Sequence, residues 1–208
     1  MARLKEVGVN ISVRKARHTD LAWLGNLMEE SSLYNIPYGR DISHEEVRRA
    51  ARRDFQAIIE GVDALVVLVA EDENRERLGA LLLQLHCCSP VTGDPQSQVY
   101  SLAVDPRHWG SPAPRLLIEE AARITGRAGY RYMVGQVTAD NKRMKLKAER
   151  LGFEVESYEI VMACTLDGPA PMPGRPETLR AHEVSRRQRR LLARRKARKK
   201  QRESRPQQ

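Results

Sequence analysis

Residues 97–117 read Ser-Gln-Val-Tyr-Ser-Leu-Ala-Val-Asp-Pro-Arg-His-Trp-Gly-Ser-Pro-Ala-Pro-Arg-Leu-Leu. Val99 to Val104 has the apolar, β-branched character of a strand. Prolines and a glycine then punctuate a turn. Beyond it Leu117, Ala121, Ile124 and Ala128 recur at helical spacing, and the pattern stops near Gly129. A strand that turns tightly into a helix gathers unpaired backbone N–H groups and the positive end of a helix dipole at one point. Such a point receives phosphate or pyrophosphate.

The neighbouring segments set the fold class. Upstream, Ile11 to Ala16 alternates as a half-buried strand, and His18-Thr19-Asp20 offers a cap for a helix carrying Leu21, Leu24, Leu27 and Met28. After a loop at 34–39, Ser43-His44-Glu45-Glu46 is a capping box. It opens a helix through Val47, Ala51, Phe55, Ile58 and Ile59 to Gly61. Ala64–Ala70 and Leu78–Cys88 are apolar runs joined by Asp72-Glu73-Asn74, which predicts a hairpin. Downstream, Tyr130–Val137 reads as a strand. Asn141 to Leu151 reads as a helix stopped by Gly152, and Phe153 to Leu166 as a last extended stretch.

The order is β-α-α-β-β-β-α-β-α-β. It predicts an α/β domain over residues 1–166, with a mixed, mostly antiparallel central sheet and helices on both faces. Residues 167–178 hold four prolines and two glycines and read as a linker. Residues 179–208 form a polybasic tail. From Arg186 to Arg205 there are 12 Lys/Arg and one acid, Glu203, a net of +11. The whole chain is +9, so residues 1–185 sum to −2 and the high pI belongs to the tail.

This element order resembles the GNAT N-acetyltransferases. So do Leu102-x-Val104 followed by Arg107-x-x-Gly110, Asn141, and Ala148-Glu149-Arg150-Leu151-Gly152-Phe153. The resemblance implies an acetyl-CoA-dependent transfer to a protein or small-molecule amine. It implies two central strands that splay apart around the pantetheine arm, with Ala103 and Val104 facing that arm. An N–H near Val104 would bind the thioester carbonyl. Arg107, Trp109, Gly110, Ser111 and Arg115 would surround the pyrophosphate, and Asn141 would reach the pantetheine.

The chain departs from the family pattern at four positions. Pro112 and Pro114 have no N–H to donate, although proline suits a first helical turn. Ala148 stands where the family's thiolate-protonating tyrosine usually sits, and Gln98 where a carboxylate base often sits. Tyr100 and Ser101, on the same strand, are the candidate catalytic substitutes. Glu29 and Glu30 read as a solvated helix face, Tyr34 as packing, and His86 as a satisfied or exposed histidine. No residue is assigned as general base.

Three cysteines, Cys87, Cys88 and Cys164, form neither a disulfide framework nor a zinc spacing, so no metal site is expected. No apolar run reaches membrane-spanning length and no apolar leader opens the chain, which points to a cytoplasmic protein. In the tail, Arg186, Arg187, Arg189, Arg190, Arg194, Arg195, Lys196, Arg198, Lys199, Lys200 and Arg202 suit phosphate contacts with nucleic acid or another polyanion. Almost no aromatics interleave, which argues against base readout. A second reading keeps the scaffold without turnover, as a subunit of a ribonucleoprotein or phage particle. A homo-oligomer or larger assembly stays open.

Overall fold

The apolar run Leu78–Leu83 forms the centre of a sheet covered on both faces. A computed structural model describes residues 10–37, 39–157, 163–165 and 168–170. In chain order the elements are β1 (Ser12–Lys15), α1 (Leu21–Ser32), α2 (His44–Gly61), β2 (Leu65–Glu71), β3 (Arg77–Cys88), β4 (Pro95–Val104), α3 (Ala113–Arg127), β5 (Tyr132–Gly135), α4 (Lys142–Arg150), β6 (Ala163–Thr165) and β7 (Gly168–Ala170). Single 3-10 turns precede α1 (His18–Asp20), follow it (Leu33–Asn35), and follow β4 (Pro106–His108).

The main sheet has the order β1-β2-β3-β4-β5. Its first three pairings are antiparallel and β4–β5 is parallel. Alternate β3 residues go to opposite faces. Leu81 and Leu83 pack with Leu68, Leu117, Ile118 and Ala121 under α3. Ala80 and Leu82 pack with Leu24, Leu27, Met28 and Ile58 under α1 and α2. A strand covered on both sides is apolar throughout, which explains the unbroken β3 run. The capping box forms: Ser43 Oγ accepts from the Glu46 amide, and Glu46 Oε2 accepts from the Ser43 amide.

Two expectations differ from the structure. β4 starts at Pro95, before Val99, because Gln96 and Ser97 are buried polar residues. Ser97 is satisfied by a 2.7 Å hydrogen bond to Thr125 of α3, so polar composition does not mark a loop there. The stretch after Gly152 does not continue the main sheet as one strand: residues 153–157 are irregular, with Phe153 packed against the α3-side core. A second unit contains the antiparallel pair β6–β7, with Thr165 opposite Gly168. Of the linker read at 167–178, the described residues Gly168–Ala170 are strand.

Gly79 shows how tightly β3 meets β4. A Cβ there would sit 2.7 Å from the Ala103 carbonyl oxygen, a distance at which backbone has to move. Only glycine lets the two strands approach this closely.

Candidate functional site

Parallel pairing of β4 with β5 covers only Gln96–Val99 against Tyr132–Gly135. Beyond Val99, β4 runs on to Val104 while β5 ends at Gly135. Pairing stops there, and the slot is the opening in the sheet beside the β4 edge beyond Val99, which has no strand partner on that side among the described residues. Its apex carries a bulge: Leu83 faces Val99 and Leu82 faces Ser101, so Tyr100 has no partner in the β3 register. A bulge of this kind bends a strand and redirects its neighbours.

Strand parity decides which backbone groups face the slot. Asp105 N donates to the Leu78 carbonyl at 2.9 Å, toward β3. In an antiparallel pair the residues alternate, so Ala103 also turns its amide and carbonyl to β3. Leu102 and Val104 turn theirs to the open side. The family resemblance placed Ala103 on the slot edge. The structure instead buries it in the α1-side core, and the residue that joins Val104 on the edge is Leu102. Parity cannot be read from composition, so Leu102 was missed.

The loop to α3 is built locally. Asp105 Oδ1 accepts from the Arg107 amide at 2.9 Å, an Asx-type turn. The same carboxylate takes the Arg107 guanidinium, with Nη2 to Oδ2 at 2.8 Å. That contact holds the Asp105 carboxyl below its usual range and raises Arg107. Gly110 has φ +95°, the left-handed region that favours glycine. Ser111 N donates to His108 O, and Arg115 N and Leu116 N donate to Pro112 O. Pro112 and Pro114 have no N–H, which leaves the Gly110 and Ala113 amides as the loop's other donors. Ser111 Oγ is buried without a partner among the described residues. Arg115, exposed, reaches Glu119 at 3.4 Å.

The turn after α1 spans the slot's loop end. Tyr34 meets Trp109 edge-on, with ring centroids 4.9 Å apart. Asn35 O accepts from Thr138 Oγ1 at 3.0 Å, and Asn35 Oδ1 accepts from Asn141 Nδ2 at 2.9 Å. One short turn therefore touches both the segment after β4 and the segment after β5. Trp109 Nε1 donates to the slot-facing Val104 carbonyl at 3.0 Å. The Arg143 guanidinium lies 4.6 Å from the Trp109 ring centroid. Asn141 also caps α4, its Oδ1 accepting from the Met144 amide at 3.0 Å. Trp109 and Asn141 thus meet at one end of the slot. Tyr34, Asn35, Thr138 and Arg143 join them through contacts distant in sequence.

Solved structures with this arrangement of elements include a Pyrococcus furiosus chain carrying a provisional acetyltransferase name. It has a TM-score of 0.63 at 19% identity, over 74% of this chain and 99% of that one. The aminoglycoside N-acetyltransferase AAC(6')-Iy, in complex with CoA, matches at 0.55 and 18%, over 78% of this chain and 99% of its own. The chain has the GNAT fold. Glucosamine-6-phosphate N-acetyltransferase from Arabidopsis thaliana shares the GNAT architecture at 0.51 and 16%, over 74% of this chain and 98% of that one. No family model matches the sequence, and no curated protein matches it. At these identities the likeness is one of fold.

The other expected site residues fall as follows. Tyr100 stands at the apex bulge, 40% exposed. Ser101 is turned to α1, its hydroxyl donating to Met28 Sδ at 3.1 Å. Glu29 is not on a solvated face: it is buried, and Arg52 of α2 grips both carboxylate oxygens at 2.6 and 2.9 Å. Arg52 holds that carboxyl below its usual range, so it is engaged in joining α1 to α2. Glu30 is exposed and pairs with Arg48. His86 hydrogen-bonds Tyr130 at the end of the sheet where β4 begins, away from the loop. Among the described residues no cluster of three or more metal-ligating side chains occurs, and no helix is long and apolar enough to cross a membrane. The tail residues 186–202 lie outside the described residues.

Proposed function

We propose that this chain is an acetyl-CoA-dependent N-acetyltransferase that acts on a protein or small-molecule amine. The observation that carries the reading is the slot: the β4–β5 ladder stops at Val99 and Gly135, and by parity the amides and carbonyls of Leu102 and Val104 face the open edge. These groups fit an extended amide-bearing arm, which pairs with a free strand edge much as another strand would. Acetyl-CoA, when bound, supplies an activated acetyl thioester. The Leu102 amide, nearer the apex, would hold the thioester carbonyl and offer a donor to the charge that develops on its oxygen. Val104 pairs with the arm. The Gly110 amide and the Ala113 amide at the start of α3 would receive the pyrophosphate. Tyr100 is the ionisable side chain of β4 closest to the point where the β4–β5 ladder stops.

The test is calorimetry of the full chain with acetyl-CoA, followed by thiol release against a panel of amines. Saturable binding and amine-dependent release support the reading. No binding at millimolar cofactor overturns it.

Trp109 sharpens that test. Its indole N–H occupies the carbonyl that the arm needs. Trp109→Phe keeps a ring against Tyr34 and Arg143 but leaves the Val104 carbonyl free. The variant is expected to bind CoA about three- to tenfold more tightly, the net worth of one hydrogen bond no longer displaced. Titration calorimetry reads the change directly.

A second reading is favoured by Ala148 and Gln98, which remove both of the family's usual titratable groups. In it the slot binds its ligand without turnover, and the chain serves as a subunit of a nucleic-acid-containing assembly. Binding with no thiol release from any amine separates it from the first. In both readings the tail tethers the chain to nucleic acid, on the strength of its net +11 charge. Deleting residues 179–208 is expected to abolish binding to duplex DNA and single-stranded RNA at low salt. In the full chain that binding should fall steeply as salt rises. Equal retention by the truncated chain would remove the tether.

A further inference from the structure

Arg107, Arg115, Arg143 and Lys147, from the loop, α3 and α4, differ in their pairing, which sorts them into two classes. Arg107 is committed: its guanidinium is held by Asp105 and lies 3.5 Å from Glu76. Arg115 reaches Glu119. Arg143 and Lys147 of α4 have no acidic partner among the described residues. They are one helical turn apart, at i and i+4, and so share a flank of α4. Arg143 rests over Trp109, which is itself tied to the slot edge. Lys147 is half-buried, and burial together with the Arg143 charge lowers its pKa.

Two unpaired like charges side by side, one of them partly desolvated, destabilise the free protein and are relieved by an anion. The wider charge distribution points the same way. α4 carries five Lys/Arg against one acid, Glu149. Residues 107–150 hold ten Lys/Arg and four Asp/Glu, whereas residues 10–106 hold ten and fifteen.

We propose that Arg143 and Lys147, rather than Arg107, supply the positive charge that receives the phosphate groups of the nucleotide cofactor. This rests on the acetyl-CoA reading above and assigns its anion contacts to α4. The proline-interrupted loop then needs to contribute only a backbone donor or two.

The experiment is CoA binding to the full chain by calorimetry, at low and high salt. Arg143→Gln/Lys147→Gln is expected to weaken binding about 30-fold or more and to flatten its salt dependence. Arg123→Gln/Arg127→Gln, which removes the same charge from the other end of α3, is expected to stay within twofold. Arg107→Gln is expected to cost less than Arg143→Gln alone. The charge-preserving exchange Arg143→Lys/Lys147→Arg should bind within threefold of the parent. Should the double glutamine variant lose its native circular dichroism, the two single variants carry the test, each expected to lose about fivefold. The assignment is overturned if the folded glutamine variants bind within twofold of the parent. It is equally overturned if the α3 variant loses as much, or if Arg107→Gln has the larger effect. A parent chain that does not bind CoA at all refutes the underlying reading, a result distinct from binding that ignores α4.

Discussion

Asp20→Ala is expected to destabilise the fold by about 3 kcal/mol at neutral pH, the largest single-residue effect outside the apolar core. Its side chain is only 3% exposed. Both oxygens are used: Arg14 Nη1 donates at 2.7 Å, Arg14 Nη2 at 3.2 Å, and the Arg17 amide at 2.7 Å. Arg77 lies 3.7 Å away. One carboxylate therefore binds β1, β3 and the turn that starts α1. Removing it leaves a half-buried guanidinium on Arg14 with Glu71 as its remaining acidic partner. That second partner is why the low end of the usual range applies.

The effect has a pH signature. Arg14 holds the Asp20 carboxyl below its ordinary value. A group with a depressed folded pKa stabilises the fold above its unfolded pKa, near 3.9, and loses that contribution as pH falls toward the lower folded value. The gap between parent and variant in urea unfolding should be full at pH 7 and should close progressively below about pH 4. A gap that persists unchanged at pH 2–3, or is under 1 kcal/mol at pH 7, would mean that the pair contributes little.

Asp20 also shows where sequence reading stops. His18-Thr19-Asp20 is legible as a helix start because capping chemistry is local. The burial of Asp20 is not, since its partners come from β1 and, across the sheet, β3. The same division runs through the site. The strand, the turn and α3 follow from residue types within about thirty positions. Even the Asp105–Arg107 pairing was available, because Asp-Pro-x sequences favour an Asx turn that brings the i+2 amide onto the carboxylate. The strand edge facing the slot depends on β3–β4 register, which a bulge at Tyr100 shifts by one residue. The bridge made by Tyr34 and Asn35 joins residues about a hundred positions apart, such as Asn35 and Asn141. Glu29 went astray for the same reason: its partner Arg52 lies on the next helix, 23 residues on. Contacts set by chain closure leave no local pattern to read.

The second large effect concerns a single backbone N–H. Replacing the amide between Ser101 and Leu102 by an ester deletes the Leu102 donor and leaves every side chain in place. By parity that donor faces the slot, so no sheet bond through it is lost. The neighbouring carbonyl, on Ser101, becomes a weaker acceptor toward β3, at a cost of about 1 kcal/mol of stability. Losing an oxyanion donor typically costs about 10²–10³ in turnover, and a loss of that size in thiol release is expected with the best amine acceptor. CoA, which has no thioester carbonyl, should bind the ester variant within a few-fold of the parent. The matching ester at the Ala103–Val104 linkage is expected to reverse the balance, weakening CoA binding more than turnover at saturation. Leu102 lies nearer the apex where the reacting end must sit, and Val104 nearer the loop. Two esters with the same effect on both measurements would show that the slot does not order its ligand along β4. A Leu102 ester with full turnover would remove the oxyanion role from this strand altogether.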